Sequence, residues 1–376
     1  MGVTEDVVQT RVGLGPVLAT IRAHSAELAV ADRLPEAVHR ACLDAGLYRL
    51  GLAGELGGLR SPLPDTMSVI EELAYADGSV GWCVAVGNVG ASLLAGIDET
   101  QARQIAARPE RLSIAGGFPP VGRARPTDHG YRVSGHWSFA SGATSASWLL
   151  GGAMVAPEGP PLVAFFPADR ARIVPNWSVS GLRATGSHDV VAEDVSVPAG
   201  RTTLLVGGPR WSADPIAAVP FFALGTLLGA VPVGIARRAL DELLELAATK
   251  TRFGQSTPLL RDQRFQDGFS AVRVQLAAAR SYLAERTGEI WREAVAGAVS
   301  PATQAGATLA IGLAADAALA AARFAHEAAG TASIRTDSVL SRCLNDITVA
   351  TRHVAFSPFA RGNAARVLLG LPPEQP

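Results

Sequence analysis

The chain has 376 residues, 48% hydrophobic and 18% charged, enough apolar material for a large core and two or three domains or subdomains. Its 33 basic and 34 acidic residues leave a net charge of -1 with no basic run, which argues against nucleic acid or an anionic membrane surface as the main partner. Cys42, Cys83 and Cys343 are odd in number and far apart, with no CxxC; this usage suits a reducing cytoplasm rather than a disulfide scaffold. The acids Glu5 and Asp6 break the charged-then-apolar order of a signal peptide.

Residues 8–110 read as helical. Pro35 stands where a first helical turn starts, and Ala37, Cys42 and Leu47 recur at helical intervals. Gly46 and then Gly51 to Gly58 mark turns, a second helical run covers about Asp65–Ala76, and Asp77-Gly78 breaks it before the apolar run Val80–Leu94. Residues 111–205 change character. Short alternating runs at 131–134, 148–154, 162–166 and 190–197, bounded by Gly and Pro, predict a small β-sheet. Residues 216–370 return to long helices. Ile235, Leu240, Leu243, Leu244 and Ala247 share one face, Val272, Leu276, Ala279 and Leu283 another, and Ala305–Ala329 is a third, alanine-rich helix. Pro215–Ala236 is uncharged and long enough to span a bilayer. Its prolines and glycines, and its run into the amphipathic Arg237–Leu246, predict a buried core helix instead. The expected class is therefore mainly α with a central β domain, divided at 1–110, 111–205 and 206–376.

Motif searching is mostly negative. There is no P-loop, GxSxG or HExxH, and Gly51, Gly54 and Gly57 follow no convincing strand, so a nicotinamide-binding Rossmann unit is not expected. The seven histidines show no metal-binding pair, and no metal is expected.

Two stretches of the middle zone carry a resemblance. Ser134-Gly135-His136-Trp137-Ser138-Phe139-Ala140-Ser141-Gly142, followed by Trp148, is similar to the flavin-facing strand of the acyl-CoA dehydrogenase fold superfamily. Trp177 through Val190, with Gly181-Leu182-Arg183-Ala184-Thr185-Gly186-Ser187, then Glu193 through Pro198, resembles the second half of that domain. The forms "SFASG" and "GLRATGS" resemble its flavin-dependent monooxygenase branch. The resemblance implies an N-terminal helical domain, a middle β-sheet domain and a C-terminal four-helix bundle.

What the resemblance implies chemically follows the same residues. Phe139 packs on a flavin ring, and Ser141, two residues along the strand and so on the same face, contacts ring N5. Ala115 and Gly116 offer backbone to the pyrimidine edge, in a loop too short for the dehydrogenase Thr-Glu-Pro sequence. Ala140 lies between the two contacts. Arg252, Phe253 and Gln263, beside Lys250, resemble the segment that reaches the flavin phosphates of a neighbouring subunit, and Gly330 joins the cofactor set. Trp137 and Trp148 read as packing residues.

Dehydrogenases of this fold use a glutamate at one of two places. Here these places hold Val354, eight residues after Asn345-Asp346, and a position near Leu224 in an apolar run. Neither has a carboxylate, so the base for α-proton abstraction is missing. His353 stands beside Val354 where the monooxygenase branch carries a helical histidine facing flavin and substrate, and it is expected to titrate near pH 6–7 as acid or base. The place of a second branch histidine, eight residues after Trp82, holds Gly90, with Asn88 the nearby polar side chain. The expectation is a cytoplasmic, homotetrameric oxygenase that receives reduced flavin, FADH2 or FMNH2, from a separate reductase. With O2 it forms a C4a-hydroperoxyflavin and oxygenates a small organic, aromatic substrate. The alternatives are an acyl-CoA or acyl-carrier-protein dehydrogenase with a relocated base, and a non-catalytic scaffold.

Overall fold

A computed structural model describes residues 13–205, 211–372 and 374. Glu5, Asp6 and the start of the third zone lie outside the described residues. The helices before the sheet are α1 (Leu14–Ala23), α2 (Glu36–Asp44), α3 (Leu63–Ala76), α4 (Gly78–Ser92) and α5 (Glu99–Ile105), with a single turn at Ser25–Leu28. Asp77 does more than break a helix. It ends α3 in extended backbone, and its carboxylate caps α4, accepting from Ser79 N at 2.9 Å and Val80 N at 3.4 Å. Almost every residue of α4 is buried, which accounts for its unbroken apolar run.

The strands are β1 (Ile114–Thr127), β2 (Gly130–Trp137), β3 (Trp148–Val155), β4 (Pro161–Pro167), β5 (Arg172–Val174), β6 (Asp189–Pro198) and β7 (Thr202–Thr203), in sheet order β5-β6-β2-β1-β3-β4-β7. The β1–β3 pair is parallel and the other pairs are antiparallel. β1 was not anticipated. Its first half carries Gly116-Gly117 and Pro119-Pro120, which read as loop, yet it lies near the middle of the sheet. Alternation along β3 and β4 sends Leu150 and Phe165 toward α4 and α5, and Leu149 and Phe166 into a separate cluster on the other face.

That second cluster is organised by Trp137. Its side chain lies over glycines of three strands: an added Cβ would come within 3.2 Å of the indole from Gly117, 2.6 Å from Gly122, 2.5 Å from Gly135 and 2.4 Å from Gly151. The indole N–H donates to Gly152 O at 2.8 Å. Trp137 is thus a packing residue, and so is Trp148, whose ring lies 5.1 Å from the Arg201 guanidinium.

After the sheet come α6 (Gly225–Thr249), α7 (Gln263–Val295), α8 (Pro301–Ala329), α9 (Val339–Ala350) and α10 (Pro358–Leu368). Small residues bring them close: a Cβ on Gly234 of α6 would sit 2.3 Å from Glu71 O of α3, and Ala307, Ala310, Ala314, Ala318, Ala321 and Ala325 form the buried face of α8. Glu71 cross-links α3 to α6 and α7 through Arg237 at 2.6 Å and Arg280 at 2.7 Å. One apolar core runs from Leu14 and Met67 through Leu227 and Leu283 to Ile347, so the helices before and after the sheet form one hydrophobic unit. Three segments, Gly78–Gly96, Phe221–Thr249 and Pro301–Ala332, are long and apolar enough to cross a membrane by length and composition. Their apolar windows are 94%, 78% and 67% buried inside the protein.

Because the indole is rigid, Gly151→Ala should cost about 1–3 kcal/mol through overpacking. Urea unfolding measures this, and a midpoint equal to wild type would show that the glycine bed has slack.

Candidate active site

β2 ends at Trp137, and the next four residues turn rather than continue the strand. Phe139 has a left-handed φ of 63° and leaves its ring 72% exposed, edge-on to Trp177 at 6.2 Å. A β-carbon residue in that region stores strain, a feature that clusters at functional sites. Ser141 instead turns inward and is 8% exposed. The expectation that the two residues stand along one strand is therefore corrected: both lie in the turn after β2, Phe139 exposed and Ser141 buried. Ala140, the expected contact between them, is held by the backbone. Its side chain is buried, its N–H is given to His188 O at 3.1 Å, and its carbonyl accepts from Ala143 N at 3.1 Å.

Behind Ser141 runs a string of short hydrogen bonds. Trp82 Nε1 of α4 donates to Ser141 Oγ at 3.0 Å; Ser141 Oγ lies 2.6 Å from Ser187 Oγ, and that atom 2.7 Å from Thr185 Oγ1. Thr185 Oγ1 donates to Leu182 O at 2.8 Å, and Leu182 N donates to Asp346 Oδ1 of α9 at 2.6 Å. All four side chains of the string from Trp82 to Thr185 are buried. Thr185 and Ser187 belong to the sequence stretch that carries the resemblance, but nothing in sequence spacing shows that they meet Ser141, some 46 residues away in sequence for Ser187.

His353 reaches the same place through Trp82, whose ring it meets edge-on at 5.5 Å. The expectation of a helical histidine is corrected: α9 ends at Ala350, and His353 caps the 3-10 turn Val354–Phe356, its Nδ1 accepting from Ala355 N at 3.2 Å. With Nδ1 occupied as an acceptor, the neutral ring carries its proton on Nε2. Burial pushes the imidazole down to about 4, well below the 6–7 expected from sequence. Next to it Val354 is 66% exposed, while Leu224 is buried, so neither dehydrogenase base position offers a carboxylate.

β1 supplies the opposite wall. It pairs with β2 only from Arg123 onward, so Ile114–Gly122 has a ladder neighbour on the β3 side alone. Gly116, at φ 146°, admits no side chain, since a Cβ would lie 1.9 Å from Leu150 O. Ala115 and Ser141 line one narrow cavity of about 10 Å³, shared with the hydrogen-bonded pair His39–Tyr48 (3.2 Å), which sequence reasoning did not single out. Gly90 packs against the sheet: its Cβ would meet Ile114 Cγ2 at 2.9 Å, in the α4–sheet contact. Asn88 is equally structural, accepting from Gly51 N at 2.7 Å and donating to Leu47 O and Val84 O at 2.8 Å each.

The remaining expected contacts form a separate group at the α6–α7 turn. Lys250 caps the end of α6, Arg252 pairs with Asp262 at 3.2 Å, Phe253 is wholly exposed, and exposed Gln263 opens α7. Gly330, also exposed, ends α8 with φ 54° and ψ -133°, a conformation open to glycine.

Two titrations test this geometry. Nitrogen-detected NMR should show His353 as the Nε2–H tautomer, neutral down to about pH 5; a midpoint at 6–7 would refute its burial. Asp346 is pushed up to about 7 by burial, then by the nearby Asp77 carboxylate. Its folded value exceeds the unfolded one, near 3.9, so the contribution it makes to stability is complete below about pH 4 and is lost as pH rises through 7. Wild type should therefore lose stability relative to Asp346→Asn across that window, by up to about 1.4 kcal/mol per pH unit. Parallel pH profiles of the two melting curves would contradict the shift.

Comparison with known proteins agrees with the geometry. Residues 17–107 match the family described as "Acyl-CoA dehydrogenase, N-terminal domain" and residues 226–358 the one described as "Acyl-CoA dehydrogenase, C-terminal domain". An indole-3-acetate monooxygenase of Acinetobacter baumannii is 31% identical over 336 residues, 87% of this chain and 85% of that protein. The oxygenase subunit HsaA, a flavin-dependent monooxygenase of Rhodococcus jostii, is 29% identical over 276 residues, 70% of this chain and 71% of that one. Among solved structures, the 3-HSA hydroxylase from a Rhodococcus species superposes with a TM-score of 0.90 at 25% identity over 98% of both chains. XiaF from Streptomyces, solved with FADH2 and glycerol, superposes at 0.89 over 99% of this chain and 97% of that one; at 23% identity this shows the fold alone. The shared fold, the near full-length identity and the missing dehydrogenase carboxylates agree: the chain belongs to the flavin-dependent monooxygenases of the acyl-CoA dehydrogenase fold.

Proposed function

We propose that this chain is the oxygenase component of a two-component system, taking FADH2 or FMNH2 from a separate reductase and using O2 to place one oxygen atom on a small aromatic substrate. The observation that carries this reading is the strained, exposed Phe139 ring two residues from Ser141, which shares a cavity with Ala115 in the half of β1 that has no ladder partner on the β2 side. A flat apolar ring with one polar edge fits that arrangement. Phe139 would lie against the ring, Ser141 at N5, and the backbone of Ala115 and Gly116 at the pyrimidine edge. When bound, the reduced flavin supplies the oxygen activation that no side chain here provides.

The protein's own part is binding, drying and proton placement. Trp82 and the burial of its neighbours keep water from the hydroxyl string, and His353 presents a neutral Nε2–H donor. With Gly90 at the place of a second histidine and His353 neutral, neither of these two positions holds a base of the strength that deprotonating a phenol needs. An indole, already electron-rich when neutral, suits it better, in line with the 31% identity to indole-3-acetate monooxygenases. Arg252, Phe253, Gln263 and Gly330 would serve the phosphates of a neighbouring copy's flavin in a homotetramer; the full exposure of Phe253 supports that assignment. The three buried, free cysteines support a cytoplasmic site of action.

Mixing the protein with chemically reduced flavin, ¹⁸O₂ and indole-3-acetate, then a panel of phenols, should yield a product carrying one labelled oxygen. Stoichiometric oxidised flavin that survives dialysis and is bleached by an acyl-CoA would overturn this reading. In the same assay His353→Ala should slow oxygen transfer by about 10²–10⁴-fold with flavin binding near normal. Full turnover with a lowered melting temperature would reduce His353 to a packing residue.

A further inference from the structure

The hydroxyl string behind Ser141 has a direction. Trp82 Nε1 can only donate, and the Leu182 carbonyl can only accept. That carbonyl is also approached by Thr185 N at 3.1 Å and Trp177 Nε1 at 3.2 Å, so it sits among donors. Between the two ends stand three buried hydroxyls, each with one proton. Thr185 gives its proton to Leu182 O at 2.8 Å. Ser187 must then give its own to Thr185 at 2.7 Å, and Ser141 its own to Ser187 at 2.6 Å. The indole N–H fills one lone pair of Ser141 at 3.0 Å. What remains on Ser141 is a single lone pair.

We propose that this polarised string makes Ser141 an acceptor only, so that Ser187 and Thr185, which need not touch the cofactor, set the redox state of flavin that the site accepts. The inference rests on the placement of Ser141 at ring N5. In reduced flavin N5 carries a hydrogen, which the free lone pair of Ser141 accepts. In oxidised flavin N5 is itself a lone-pair acceptor, and the two acceptors repel. Donation by Ser141 to oxidised N5 would require all three hydroxyls to reverse. Thr185 Oγ1 would then face Leu182 O at 2.8 Å with no proton between them, in a buried place. The string thus favours the reduced, incoming cofactor and releases the oxidised product of turnover. Ser187 and Thr185 act through Ser141 and are positioning residues.

The test is anaerobic titration of the flavin-free protein with FAD, FMN and their dithionite-reduced forms, with melting temperature followed alongside. Ser187→Ala frees the Ser141 proton. Affinity for oxidised flavin should rise about tenfold while affinity for reduced flavin holds, which lowers the bound midpoint potential by about 30 mV for a two-electron couple. Thr185→Val, nearly the same shape, should shift the ratio the same way, and Ser187→Thr, which restores a hydroxyl, should return the wild-type preference. Ser141→Ala should instead weaken reduced flavin about tenfold. If Ser141→Ala weakens reduced flavin but neither Ser187→Ala nor Thr185→Val alters the ratio, the polarity inference fails and the site stands. If Ser141→Ala changes neither affinity, Ser141 does not face the cofactor, and both the site assignment and this inference fall.

Discussion

The structure depends on one run of hydrogen bonds that crosses all three zones of the chain. It starts at Trp82 on α4, passes Ser141 after β2, then Ser187, Thr185 and Leu182 in the loop before β6, and ends at Asp346 on α9. Each bond contributes only about 1 kcal/mol net, but a broken one leaves a buried polar group unpaired at about 1–3 kcal/mol. The run is stable as a whole and poorly tolerant of partial loss. Packing reinforces it: Gly181 lies so close to α9 that a Cβ would come within 2.3 Å of the Asn345 carbonyl. The loop is therefore held against α9 from both sides of the peptide. That is how an N-terminal helix and a C-terminal helix come to aim at one serine of the sheet.

Periodicity found the parts of this machine whose signal is local. The alternation of 148–154 and 190–197 became β3 and β6, and the helical faces around Leu240 and Leu276 became α6 and α7. Of the buried helix read at Pro215–Ala236, the part from Gly225 is α6 and lies in the core; before it Pro215 opens one 3-10 turn and Pro220 caps another, where Phe222 is 61% exposed, and Pro232 is tolerated within α6. β1 was hidden because glycine and proline in its first half give the same signature as a turn. Only pairing with β3, more than thirty residues later, makes it a strand. The site was legible where a motif names residues in order and illegible where the fold folds back on itself. Phe139 and Ser141 were named together, but the turn that exposes one and buries the other includes a positive φ that no alternation rule contains. His353 was found, but its place beyond the end of α9 was not, and neither was the burial that lowers its pKa.

The glycines show the same division between local and non-local information. Gly117, Gly122, Gly135 and Gly151 look like weak strand formers in sequence, and each on its own lowers strand propensity. Together they clear the bed for Trp137, and the burial of one large ring, worth about 2–3 kcal/mol, offsets part of that loss. This places a rigid, densely packed layer directly before the turn that carries Phe139. A strained residue persists only where its surroundings over-determine it, and the Trp137 bed together with the Ala140–His188 bond does that here.

Monooxygenase and dehydrogenase chemistry on one fold then differ by what is neutral. A dehydrogenase of this architecture needs an ionised carboxylate near the ring to take a carbon-bound proton. This chain offers Val354 and Leu224 at those places, and beside them a histidine kept neutral by burial. The hydrogen-bonding groups gathered around Ser141 are likewise uncharged: an indole N–H, three hydroxyls and a peptide carbonyl. A neutral site does not compete with bound oxygen species for protons by charge, and it presents fixed dipoles that need not reorganise. Such a site can be set by the direction of its hydrogen bonds alone, which the donor-only Trp82 and the acceptor-only Leu182 carbonyl fix at either end. What separates this chain from a dehydrogenase at those two places is the missing carboxylate, not a new charge or a new element of the fold.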